Sequence, residues 1–158
     1  MTTKAILAFD LGTTTGWAFA RGDYITSSLI RLPKASPARA YCALERGISS
    51  LACGGERGID LIAYEEVPAT AHSGGIAAHR WGGYEAILML VASRIGVPYL
   101  GLTPTQWKRA AGLRSATGPR EALAAAVSRW PDVSFAAADE AVARWVALAA
   151  ERKIGGGA

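Results

Sequence analysis

Apolar and polar positions along the chain change period several times, and each change predicts an element. Ala5 to Phe9 is a continuous apolar run of strand length, which predicts a buried strand over Lys4 to Asp10. Gly12 to Gly16 reads as a turn, and Trp17 to Ala20 begins a second strand. Gly22-Asp23 signals a hairpin into a third strand, Tyr24 to Leu32, so the chain opens as an antiparallel meander. Pro33 to Pro37 breaks the pattern. Tyr41, Leu44, Ile48 and Leu51 then share one face of an amphipathic helix ending at Gly54-Gly55. Ile59 to Tyr64 predicts another apolar strand. Because helices precede and follow it, it is expected to pair parallel with the first strand.

Ala69 to Gly75 is polar and Gly-rich, which predicts a mobile loop. Tyr84, Ile87, Leu88, Val91 and Ile95 return to helical spacing until Gly96, and Val97 to Leu102 predicts a final strand. Pro104 suits the first position of a short helix. After a loop from Gly112 to Gly118, a helix starts at Pro119 behind Thr117 or Gly118 as its cap. Leu123, Val127 and Trp130 form its apolar face, and Pro131 ends it. The last helix spans Phe135 to Lys153 with a core stripe of Val142, Trp145, Val146 and Ala149. The predicted fold is one α/β domain over 1–154, with a mixed five-stranded sheet of three antiparallel strands followed by two parallel ones, and a flexible Gly-rich tail over 155–158.

Composition narrows this little. A length of 158 residues with 51% hydrophobic content fits one core. No apolar run approaches the roughly 20 residues of a membrane span, and no basic-then-apolar signal opens the chain, so a cytoplasmic protein without a membrane partner is expected. Cys42 and Cys53 lack metal-site spacing and are expected to be packing residues. A net charge of +4 favours a polyanionic partner.

Candidate chemistry centres on acids. Asp10 is the only charge between Ile6 and Phe19 and sits where a buried strand ends, a costly place for an unpaired carboxylate. Glu65 and Glu66 end the parallel strand at the same sheet edge. Alternation sends them to opposite faces, and Glu65 is the one expected beside Asp10. Asp139 and Glu140 open the last helix. Lys108, Arg109, Arg114 and Arg120 cluster between Thr103 and the penultimate helix and suit phosphate contacts. His72 and His79 lie in or beside the Gly-rich loop and are expected to be surface residues, with proton transfer as the functional alternative.

Taken in order, D-L-G-T-T-T-G-W from Asp10, Y-E-E-V from Tyr64, T-P-T-Q-W-K from Thr103 and an acid opening the last helix resemble a ribonuclease H-like nuclease. Within that superfamily they most resemble the RuvC-type Holliday-junction resolvases, especially phage or prophage forms, from Ile6 to about Ala150. The resemblance implies a homodimeric endodeoxyribonuclease that cuts four-way DNA junctions, leaving 5′-phosphate and 3′-hydroxyl ends and needing no organic cofactor. It implies two Mg²⁺ ions about 4 Å apart, replaceable by Mn²⁺. Asp10 would bridge both and Glu65 would bind one. Lys108 matches the family's W-K pair, whereas Arg120 stands where relatives often carry Lys.

One departure concerns the last helix. The family usually has two acids three positions apart there, while this chain has adjacent Asp139 and Glu140, with alanine or valine at the three-residue offsets. Helical phase favours Asp139, which lies at the margin of the packing stripe, and sets Glu140 nearly opposite. Glu140 is four residues before Arg144, the spacing of a solvent-side ion pair. Three other functions share some of these features: an RNA-processing nuclease with the same acids, an actin-like or sugar-kinase nucleotide binder with a similar first loop, and a junction binder without catalysis. The nucleotide binder would need a second domain and a second Asp-Gly-Gly-type phosphate motif, which this chain lacks.

Overall fold

The computed structural model describes residues 3–54, 58–68, 71 and 74–155. Its central strand is the first apolar run, β1 (Ile6–Asp10). This strand pairs antiparallel with β2 (Thr14–Arg21), which pairs antiparallel with β3 (Tyr24–Arg31). On its other side β1 pairs parallel with β4 (Leu61–Glu65), and β4 with β5 (Tyr99–Leu102). The sheet order β3-β2-β1-β4-β5 is the expected meander plus parallel pair.

β2 starts at Thr14, three residues before the strand expected from Trp17. The Thr15 hydroxyl donates to the Gly12 carbonyl at 2.8 Å and accepts the Gly12 N–H at 3.3 Å. That local closure confines the turn and leaves Thr14 to Gly16 free to pair, with Gly16 opposite Asp10.

Helices cover both faces of the sheet. On one, α1 (Pro37–Cys53) and α2 (Gly75–Ile95) pack Leu44, Ile48 and Leu88 against Leu7, Phe9 and Ile62. α2 begins well before Tyr84, so much of the stretch between the expected loop and the helix is helical. The expected mobile loop falls partly on residues 69, 70, 72 and 73, outside the described residues, and His72 is among them. Cys42 and Cys53 are exposed on α1, so they are not packing residues. The apolar side of α1 belongs to Leu44 and Ile48 instead.

On the other face Ile6, Ala8 and Ala63 meet α5 (Ala138–Gly155), which α3 (Pro104–Ala110) and α4 (Pro119–Arg129) cover from outside. α4 turns Ala122 and Ala126 inward and leaves Val127 49% exposed, because small residues let it lie close to α5. Val127 therefore does not belong to the buried face expected for this helix. Enclosure on both sides also makes α5 buried nearly all round from Glu140 to Ala147, rather than along one stripe. Gly155 closes α5, and residues 156–158 of the expected tail lie outside the described residues. Among the described residues no helix is long and apolar enough to cross a membrane.

That enclosure corrects the expected surface pair of Glu140 and Arg144, which are each only 4% exposed. Both are bonded through β3. The Ser27 hydroxyl donates to Glu140 Oε1 at 2.6 Å and accepts from Arg144 Nε at 2.7 Å. Glu140 Oε2 accepts the Ala136 N–H at 2.9 Å, before the start of α5. The guanidinium carbon lies 5.4 Å from the ring centres of both Trp130 and Phe135. Burial lowers the Arg144 pKa and the nearby Glu140 opposes that shift.

Candidate active site

Asp10 and Glu65 occupy the last positions of β1 and β4. The register Phe9↔Tyr64 sets them side by side one residue further on. Phe9 and Tyr64 belong to the core on the α1/α2 side, so alternation turns Asp10 and Glu65 toward α5. Glu66 goes the other way. A Cβ built on Gly101 would lie 2.7 Å from Glu66 Oε2 and 3.1 Å from the Tyr64 hydroxyl, which places Glu66 beside that tyrosine. The Tyr64 hydroxyl donates to Glu85 Oε1 at 2.9 Å.

Asp139 reaches the same edge because Gly16 has no side chain. A Cβ there would lie 1.9 Å from the Asp139 carbonyl oxygen, so any other residue would push the first turn of α5 off β2. Asp10, Glu65 and Asp139 consequently line one cavity of about 260 Å³, together with Trp107, Lys108 and Gly118. The structure does not bring Glu140 there.

The three acids crowd one another. Burial pushes the Asp10 pKa well up, and the negative charges of Glu65 and Asp139 and a side-chain hydrogen bond with Glu65 push it further. Burial also raises Asp139, opposed by its own backbone N–H. Among the described residues the only ion pair is Arg94 with Glu45 at 3.6 Å, so no lysine or arginine within that range neutralises the cavity acids. No group of three or more His, Cys, Asp or Glu side chains among the described residues forms a set that could hold an ion together.

α3 supplies the cavity's donors. Thr103 caps it reciprocally: its hydroxyl accepts the Gln106 N–H at 3.4 Å, and Gln106 Oε1 accepts the Thr103 N–H at 2.9 Å. The helix so fixed buries Trp107 and aims its indole N–H at Glu65 Oε1, 2.8 Å away. Lys108 Nζ lies 5.6 Å from the Trp107 ring centre and donates to the Ser115 carbonyl at 3.2 Å.

The other basic residues separate. Arg109 lines a different cavity beyond α3, Arg114 is exposed in the following loop, and Arg120 is exposed at the second position of α4. His79 is exposed on α2. Two contributors escaped the sequence reading, the Trp107 indole and Gly16. A glycine inside a strand is itself a signal of close backbone approach.

No family model matches the chain, and no curated protein matches it by sequence. Solved structures do. RuvC of Thermus thermophilus in complex with a Holliday junction substrate superposes with a TM-score of 0.75 at 16% identity, over 97% of this chain and 96% of that one. The same organism's RuvC in a second structure gives 0.72 at 16% identity, over 96% of both chains. The yeast mitochondrial Holliday junction resolvase Ydc2 gives 0.65 at 14% identity, over 96% of this chain and 79% of that one. The chain therefore has the fold of the RuvC-type resolvases, a ribonuclease H-like mixed sheet with helices on both faces.

Proposed function

We propose that this protein is a metal-dependent endonuclease that cuts branched DNA, with four-way junctions as its substrate. The observation that carries this reading is the convergence of Asp10, Glu65 and Asp139, from three distant parts of the chain, on one cavity where no cation among the described residues forms an ion pair with them. Clustered carboxylates are the ligands that Mg²⁺ takes, and divalent charge relieves their crowding. Asp10, Glu65 and Asp139 are the residues that would hold Mg²⁺ there, and two ions are the number that this phosphoryl chemistry uses. Bound there, such ions would supply activation of water and stabilisation of the departing 3′ oxygen, which would leave 5′-phosphate and 3′-hydroxyl ends.

The protein's own groups prepare this chemistry. Trp107 fixes Glu65 through the indole N–H, which orients the carboxylate beside Asp10. Lys108 lines the cavity as a point charge for the scissile phosphate. Cutting two strands symmetrically calls for two such sites, hence a homodimer. The nucleotide-binder alternative is disfavoured by Thr15, whose hydroxyl is engaged with Gly12 inside the turn.

The test is incubation of the purified protein with a synthetic four-way junction and Mg²⁺, beside linear duplex and structured RNA. Junction cleavage is expected, lost in Asp10→Asn while junction binding persists. An Asp10→Asn protein that cuts like the wild type would overturn the site, and preference for the RNA would move the protein to RNA processing.

A further inference from the structure

α3 has two sides, and only one serves the acid cavity. Across the helix a cavity of about 540 Å³ opens between α3 and the last turns of α5. Arg109, Arg152 and Lys153 line it with the Gln106 side chain, over a floor that includes Leu102 and Ala149, and no carboxylate takes part. The Arg152 guanidinium donates to the Ala110 carbonyl, which ties the end of α5 to the end of α3. A guanidinium has five N–H donors, so most remain for a ligand. Among the described residues neither Arg109 nor Lys153 has a side-chain hydrogen bond or ion pair.

We infer that this cavity binds a phosphodiester of the DNA strand near the one being cut, as a second anchor that sets the strand's register in the acid cavity. The inference rests on the nuclease reading above. Three cations gathered without an acid suit a phosphate, and apolar Leu102 and Ala149 suit the sugar beside it. Spacing agrees. An α-helix with its side chains is about 10 Å across, or roughly three base steps of about 3.4 Å measured along the axis of a duplex. A strand passing over α3 would thus meet Lys108 on one side and Arg109 on the other, a few nucleotides apart.

The competing account is that these cations only offset the C-terminal dipoles of α3 and α5, whose last turns carry Lys108, Arg109, Arg152 and Lys153. Lys153→Gln and Arg109→Gln separate the two, since neither disturbs the Arg152 bond to Ala110. Fluorescence anisotropy with a labelled four-way junction, in EDTA over a series of salt concentrations, gives the slope of log affinity against log salt. Each variant is expected to flatten that slope by about 0.9, one phosphate contact, and to weaken binding at moderate salt. Wild-type slopes in both variants, with or without a lowered melting temperature, overturn the inference and leave the cations as dipole partners. Failure of the wild type to bind any DNA overturns the nuclease reading itself and this inference with it.

Discussion

Asp139 and Glu140 are consecutive carboxylates on the first turn of α5, and the helix delivers them to opposite surroundings. Asp139 joins Asp10 and Glu65 at a cavity, where burial raises the Asp139 pKa and burial with like charge raises that of Asp10. Glu140 is more deeply buried, yet it accepts from Ser27 and from the Ala136 N–H with Arg144 held by the same serine. Burial alone therefore does not mark a functional acid. The mark is burial against other acids, whose crowded charge leaves a demand that a cation from solution can meet. A satisfied acid holds the fold together, and an unsatisfied one is available for chemistry.

That contrast can be broken at several points. The largest effect is expected from Glu140→Ala, which strands Arg144 and the Ala136 N–H. Breaking a buried charged pair costs about 3–5 kcal/mol, and the melting temperature read by circular dichroism falls by roughly 6–20 °C. Asp139→Asn is expected to do the reverse, melting at or above the wild-type temperature while junction cleavage drops by about 10²–10³-fold. If Asp139→Asn unfolds the protein and Glu140→Ala abolishes only cleavage, the two roles are exchanged. Trp107→Phe keeps the ring and removes the N–H held by Glu65, and a loss of about 10–100-fold in metal affinity is expected in a Mn²⁺ titration. Unchanged affinity would make that bond a packing contact.

The smallest effect concerns pH. Asp10 and Asp139 have raised pKa values in the folded protein. Their contribution to stability is fully present below the unfolded carboxylate value of about 3.9 and is lost as pH rises through the raised folded values. In metal-free protein, Asp10→Asn is expected to gain melting temperature over the wild type progressively across that window. Adding Mg²⁺ at neutral pH should narrow the gap by stabilising the wild type. A gap independent of pH would mean that Asp10 ionises without cost.

Much of this was legible in the residues. β1 and β4 are unbroken apolar runs, so Asp10 and Glu65 stood out as charges at their ends, and alternation separated Glu65 from Glu66. Helical phase directed attention to Asp139 over Glu140, although its premise, a solvent-facing Glu140 and Arg144, does not hold. Amphipathic reasoning assumes a helix with one wet side, and α5 has none over two turns because α3 and α4 cover it. The Ser27 link was hidden for another reason: it joins residues more than a hundred positions apart, and no local pattern announces it. The same holds for Trp107 and Glu65, 42 positions apart.

The enclosure of α5 also has a bearing on when the protein can act. A growing chain has both strand-end acids long before Asp139 is added, but without α5 the sheet face around Ile6, Ala8 and Ala63 stands open and the cavity lacks a wall. That one helix thus closes both the core and the proposed catalytic site. Removing α5 is therefore expected to open the core and the cavity together.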